Sequence, residues 1–260
     1  GCMKRMFVVM MLTAGTLFSQ NPAVSIAIEG KNKIQNGFAA WNETMIREGS
    51  ALCERAAMAD PQNVWPLYWS AFAYYRLAIM KLYGGEPDED AGKQYIETGL
   101  SLLEKANTLK PGHAESLALT GSLTGMKIRF NPLSAMWLGP KSQEYMSKAV
   151  EADPKSPRVF YLIGIGTMNT PSMFGGGADK ATGDFLKAIR LYEEEAANPP
   201  ADPLAPTWGY DECYSFLGSA YEAQKMFNEA KSCYQKSLTI NPESRRAKAQ
   251  LMRLENKNTQ

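Results

Sequence analysis

Apolar and polar positions repeat one cadence along most of this chain. A small residue is followed five positions later by proline, as in Ala56 and Pro61, Ala106 and Pro111, Ala149 and Pro154, and Ser237 and Pro242. Each proline closes a stretch whose apolar residues recur at three- and four-residue spacing, the mark of an amphipathic helix. Proline cannot continue a helix and pushes the preceding residue toward extended geometry. Asp60, Lys110, Asp153 and Asn241 are therefore predicted helix ends. The interval from Pro154 to Pro242 is about twice the one before it, so a further end is predicted in the run Glu193 to Pro200. Self-similarity at this period predicts stacked helical hairpins. The expected fold is all-α, a superhelix of about five hairpins, with the polar stretch Glu243 to Glu255 as a C-terminal capping helix.

The last unit carries the clearest pattern, YSFLGSAYEAQKMFNEAKSCYQKSLTINP. Tyr214, Leu217, Gly218 and Tyr221 share one side of a first helix, and Ala230, Tyr234 and Ser237 share one side of a second. Gly218 and Ala230 let the helices approach while the large residues fill the space beside them. This spacing resembles the tetratricopeptide repeat. Earlier units fit with gaps. Leu67, Ala71 and Tyr74 pair with Gly99, Leu103 and Ala106; Leu117 and Gly121 with Ser142 and Ala149; Phe160, Ile163 and Gly164 with Ala181, Phe185 and Ala188. The first unit shows Gly49, Cys53 and Ala56 on a second helix, and its first helix is not defined by pattern. Enlarged turns are predicted at Tyr83–Ala91, Asn131–Lys141 and Thr170–Ala178, and a long joining segment at Glu194–Asp211. The runs NPLSAMWLGP, PRVFYLIG, TPSMFGGGADKA and PTWGYDE also resemble exported tetratricopeptide proteins of the Bacteroidetes, a group largely without assigned activity. That resemblance implies localisation more than function.

The N-terminus changes the picture of where the chain works. Lys4 and Arg5 precede a 12-residue stretch from Phe7 to Phe18, and small and polar residues follow. This is the layout of a secretory signal peptide. The stretch is too short for a spanning helix, which needs roughly 20 residues. Residues 1–19 are expected to be the signal, with cleavage after Ser19 or, alternatively, after Ala23, and residues 20–260 to be the repeat domain. Gly1 and Cys2 precede Met3 and are not expected to carry a lipid, because a lipoprotein cleavage box follows the apolar run. The expected compartment is the periplasm or the envelope.

Composition then narrows the chemistry. The formal charge is +1 and there is no basic run, which leaves no footprint for nucleic acid. His113 is the only histidine, so triads, Cys/His pairs and histidine metal sites have little to build on. The cysteines have no C-x-x-C spacing, and no metal or cofactor is expected. Cys213 and Cys233 fall on two antiparallel helices and are a candidate disulfide in an exported chain. The triple glycine 175–177 lacks phosphate-loop spacing and reads as a tight turn.

Two surfaces are candidates for binding. Trp65, Tyr68, Phe72 and Tyr75 recur at helical spacing on a first helix, and Arg158, Tyr161 and Ile165 hold the matching face later in the chain. The resemblance implies that first helices line a concave groove. The stripe therefore faces a ligand or, alternatively, is core on a helix packed on several sides. The lysine and asparagine clamp of chaperone-tail-binding relatives is missing, since Tyr68, Phe72, Ala118, Ser122, Tyr161, Ile165, Ser215 and Ser219 stand there. The second surface is the turn aromatics and methionines Met136, Trp137, Met173 and Phe174, which form an exposed rim or fold back over the core. Trp208, in the joining segment, is expected to pack down as an anchor on the opposite edge. The expected activity is non-catalytic: an exported scaffold binding a protein or peptide in the envelope. The alternative is a small-ligand-binding accessory subunit of a solute uptake system.

Overall fold

A computed structural model describes residues 21–257, and the expected signal segment lies outside the described residues. The described residues form eleven α-helices and no strand. They pair as hairpins: α1 (Pro22–Ala39) with α2 (Glu43–Ala59), α3 (Val64–Tyr83) with α4 (Glu89–Leu109), and α5 (Ala114–Met126) with α6 (Ala135–Ala152). Then come α7 (Pro157–Asn169) with α8 (Ala178–Ala197), and α9 (Tyr210–Ala223) with α10 (Phe227–Ile240), before the cap α11 (Arg245–Lys257). The expected five hairpins and capping helix are present, and the undefined first helix is α1.

The helix ends follow local chemistry. Asp60, Lys110, Asp153 and Asn241 each cap a helix in extended geometry, with φ of −133°, −135°, −147° and −134°. Asn198 does the same before Pro199, with φ −136°, and supplies the fifth end. These are the angles that a following proline enforces. At the other ends, Asn42, Asp88 and Ser156 accept a hydrogen bond from the backbone N–H three residues on, which satisfies an otherwise orphaned donor.

Small residues set the spacing within hairpins. A Cβ at Gly218 would lie 2.5 Å from the Tyr234 ring, and one at Gly164 would lie 2.6 Å from the Phe185 ring. These are equivalent contacts in the fifth and fourth hairpins, so each ring packs against a bare backbone. Neighbouring first helices also touch: α1 with α3, α3 with α5, α5 with α7, and α7 with α9. They form the inner wall of the superhelix. Its two ends meet, since the Arg245 guanidinium of α11 lies 5.1 Å from the Trp41 ring in the α1–α2 turn.

One turn is shorter than the sequence pattern predicts. Instead of an open turn over Asn131–Lys141, two 3-10 segments (Lys127–Phe130 and Pro132–Ser134) lead straight into α6 at Ala135. Pro140 is thereby inside the helix. It has no N–H to offer the carbonyl of Met136, and that residue is exposed, so water can satisfy the group. In the Thr170–Ala178 turn, Gly175 and Gly177 have φ of 88° and 111°. The Gly177 N–H caps α7 through the Thr167 carbonyl at 2.9 Å. The triple glycine is thus spent on a tight reversal, as its conformational freedom predicts.

Candidate functional site

The aromatic stripe lies on the inner wall, and the wall is covered. Tyr68, Phe72, Tyr75, Arg158 and Tyr161 are buried, while Trp65 and Ile165 are half-buried. The cover is the joining segment, residues 198–209, which crosses the concave face. Trp208 is the centre of it. Its ring stacks on Phe72 at 4.6 Å and meets Tyr161 edge-on at 6.0 Å, and its indole N–H donates to the Tyr68 hydroxyl at 2.9 Å. Trp208 does pack down, but into the groove rather than on an outer edge. Leu204 fills a second pocket beside Ala27 and Ala56.

The segment's backbone is held by side chains of the wall and of α8. Lys31 Nζ donates to the carbonyls of Pro203 at 3.0 Å and Ala205 at 2.7 Å. Trp69 Nε1 donates to the Leu204 carbonyl at 2.8 Å, and the Tyr192 hydroxyl donates to the Trp208 carbonyl at 3.2 Å. Trp65 Nε1 donates to Asp202 Oδ2 at 2.7 Å. Burial lowers the Lys31 ammonium from its ordinary value, and the Asp202 carboxylate opposes that shift.

Two arginines lock the wall behind the segment. The Arg76 guanidinium donates to both Glu212 oxygens, at 2.9 and 2.5 Å, and the Tyr161 hydroxyl donates to Glu212 Oε2 at 3.2 Å. Phe38, Phe72 and Trp208 surround that guanidinium at 4.1, 4.7 and 5.2 Å. Burial alone would lower the Arg76 pKa; the Glu212 carboxylate outweighs it and holds the group charged. Arg158 donates to Glu115 at 2.9 Å and to both Glu195 oxygens at 2.8 and 2.5 Å. The Arg158 side chain is therefore buried and engaged by two carboxylates of the protein itself. Sequence reasoning missed Arg76, although the signal was there: it is the only charged residue between Val64 and Met80. A lone charge in an apolar helix demands a partner.

The rim behaves differently. Met136, Trp137, Met173 and Phe174 are 81%, 58%, 83% and 71% exposed, and Leu133 joins them at 74%. Leu133 lies on the α5–α6 connection and Met173 and Phe174 on the α7–α8 connection, whereas Met136 and Trp137, expected in a turn, lie in the first turn of α6, because that helix begins at Ala135. Because α5 and α7 run in the same direction, both connections lie at one edge of the stack.

Chemistry elsewhere is sealed. His113 Nδ1 pairs with Ser116 Oγ at 2.7 Å, but both residues are buried, and Trp65 covers the imidazole at 4.6 Å. Burial, with the Lys110 charge, pushes the imidazole down to about 4. Cys213 and Cys233 are free and buried rather than bridged. The Cys213 thiol instead lies 3.6 Å from the Phe185 carbonyl, to which it donates. Burial raises it well above the ordinary thiol value and pushes Cys233 up to about 11. Among the described residues no group of three or more His, Cys, Asp or Glu could hold a metal, and no helix is long and apolar enough to cross a membrane.

Comparison with known proteins supports the architecture. The tetratricopeptide repeat family model matches residues 212–244. The HusA haemophore from Porphyromonas gingivalis has a similar structure, with a TM-score of 0.63 and 23% identity over 78% of this chain and 95% of that one. TTC0263, a thermophilic tetratricopeptide protein of Thermus thermophilus, has a TM-score of 0.61 and 15% identity over 86% of this chain and 98% of that one. No curated protein matches in sequence. One tetratricopeptide repeat at residues 212–244, and a helical-repeat architecture shared with these structures over most of the chain, give a fold of the tetratricopeptide-repeat type.

Proposed function

We propose that the chain is an exported helical-repeat scaffold of the cell envelope that performs no catalysis and binds a protein partner through its apolar rim. The observation that carries this reading is the exposure of Leu133, Met136 and Trp137 where the α5–α6 connection enters α6, and of Met173 and Phe174 on the α7–α8 connection. Large apolar side chains left in water are costly and mark contact surfaces. The signal-like segment at Met3–Ser19 supports export. The test is crosslinking in cells, comparing the wild type with a Trp137→Asp/Phe174→Asp variant. A defined partner lost in the variant supports the rim. A partner profile identical in both removes it.

A second reading is a small-ligand-binding accessory subunit of a solute uptake system. It draws on the likeness to a haemophore that this chain matches over nearly all of that protein's length. With the groove filled, an apolar planar ligand would have to meet the rim. Haemin titration followed by absorbance tests this: saturable binding abolished by Trp137→Asp/Phe174→Asp supports it, and no saturable change overturns it.

A further inference from the structure

The rim repeats one small motif in two neighbouring hairpins. Leu133, Met136 and Trp137 are spaced three and four residues apart, so they share one face where the α5–α6 connection enters α6. Met173 and Phe174 present a second methionine and aromatic pair just before α8. Because α6 and α8 both start at this edge, the two halves lie side by side. No residue from Asn131 to Pro140 or from Asn169 to Ala178 is charged. The charges that border the patch are largely engaged within the chain. Lys127 pairs with Glu97 at 2.7 Å, Arg129 pairs with Glu89 at 3.2 Å, and Lys180 donates to the Gly175 carbonyl at 3.1 Å. The rim therefore carries little field with which to select a strongly charged partner. Two exposed charges of opposite sign flank its halves. Lys141 stands one turn beyond Trp137 on α6, and Asp179 stands at the second position of α8, five residues beyond Phe174.

Such a surface is complementary to itself. Turned about a two-fold axis, the α6 half of one copy faces the α8 half of the other. Met136 and Trp137 then meet Met173 and Phe174 across the axis, and Lys141 meets Asp179. Methionine against an aromatic ring is a favourable and adaptable contact, and a closed two-fold pair makes every contact twice. The area is also sufficient. Side chains of this size each expose on the order of 150 Å², so the five offer about 700–800 Å², close to the roughly 800 Å² that each partner gives to a standard interface. With a formal net charge of only +1, two copies approach without long-range repulsion. We propose that the rim is a homodimer interface: the protein it binds is a second copy of this chain, docked about a two-fold axis with the α6 half of each copy on the α8 half of the other. This rests on the rim reading above and names the occupant.

Sedimentation velocity of the purified chain from about 1 to 200 µM tests this, with an expected monomer–dimer Kd on the order of 10 µM. Trp137→Asp/Phe174→Asp keeps the helical circular dichroism and weakens the dimer at least ~100-fold. Charge reversal tests the orientation. Lys141→Glu and Asp179→Lys each set like charges together twice per dimer and weaken it about 10-fold. The Lys141→Glu/Asp179→Lys double variant restores opposite charges and returns to within about 3-fold of wild type. A wild-type chain that stays monomeric at the highest concentration overturns the proposal. So does a dimer indifferent to Trp137→Asp/Phe174→Asp, or a double charge variant no tighter than the singles. Crosslinking in cells separates this outcome from the rim reading, because a homodimer runs at twice the mass of the chain. A monomeric purified chain, with a different protein lost from the profile of the Trp137→Asp/Phe174→Asp variant, removes the second copy and leaves the rim. If neither self-association nor any crosslinked partner depends on Trp137 and Phe174, both fall.

Discussion

Replacing Trp208 by alanine gives the most direct test of the filled groove. The ring is 6% exposed, stacks on Phe72, touches Tyr161 and lies 5.2 Å from the Arg76 guanidinium. Truncating a buried tryptophan costs about 3–5 kcal/mol through lost burial and the cavity left behind. The Tyr68 hydroxyl, fully buried, also loses its 2.9 Å partner, and orphaning a buried polar group costs roughly 1–3 kcal/mol. The two effects share one site and do not simply add. The expected loss is about 4–6 kcal/mol, a large part of a total of roughly 5–15 for an ordinary domain. Trp208→Phe keeps most of the ring contact and removes only the N–H, so its expected cost is about 1–2 kcal/mol. Urea unfolding followed by circular dichroism at 222 nm measures both. If Trp208→Ala loses less than about 1 kcal/mol, a value typical of surface changes, the groove is open in solution and the account of the wall is wrong.

Acid should destabilise the fold through His113. Its folded value, about 4, lies below the ordinary 6.5, so between those values the unfolded chain binds the extra proton. Stability is therefore full above pH 6.5 and falls as pH drops toward 4, by at most about 3 kcal/mol. Unfolding midpoints over that range should show the loss, and His113→Phe should flatten it; an unchanged slope in the variant refutes the assignment. Glu212→Gln leaves the Arg76 charge buried beside Phe38, Phe72 and Trp208. It should cost about 3–5 kcal/mol in denaturant unfolding, whereas Arg76→Met/Glu212→Leu should recover most of that loss. Equal losses in both would show that the pair is net stabilising. Finally, Cys53, Cys213 and Cys233 should all react with a thiol reagent once non-reduced protein is denatured, and stay inert while it is folded; two missing thiols would establish the bridge.

The hairpin architecture was legible because its causes are local. An Asp-Pro or Asn-Pro step fixes a helix end through two adjacent residues. A Gly218 opposite Tyr234, sixteen positions on, is a size match within one hairpin. The turn at Asn131–Lys141 departs from the pattern because Pro140 reads as a barrier in sequence. A proline near a helix start removes only one exposed bond, and α6 tolerates it. The exposed state of Met136 and Trp137 at the start of α6, and of Met173 and Phe174 in the α7–α8 turn, could not be read from composition, since an apolar side chain at a helix start or turn can fold inward or outward with the same neighbours in sequence.

The groove shows where local pattern stops. Helical spacing marked Tyr68, Phe72 and Tyr161 as one face, and that is a property of 3.6 residues per turn. Whether the face meets a ligand or the chain itself depends on contacts across long separations. Trp208 reaches Tyr68 over 140 residues, Arg76 reaches Glu212 over 136, and Lys31 reaches Ala205 over 174. No short window contains both partners of any of these bonds. They exist because the stacked hairpins curve until α1, α3 and α8 face the same segment, and curvature is the sum of many small rotations between units. Helices, ends and repeat register thus follow from neighbouring residues, while the closing of the groove and the pairing of its buried charges follow from the superhelix as a whole.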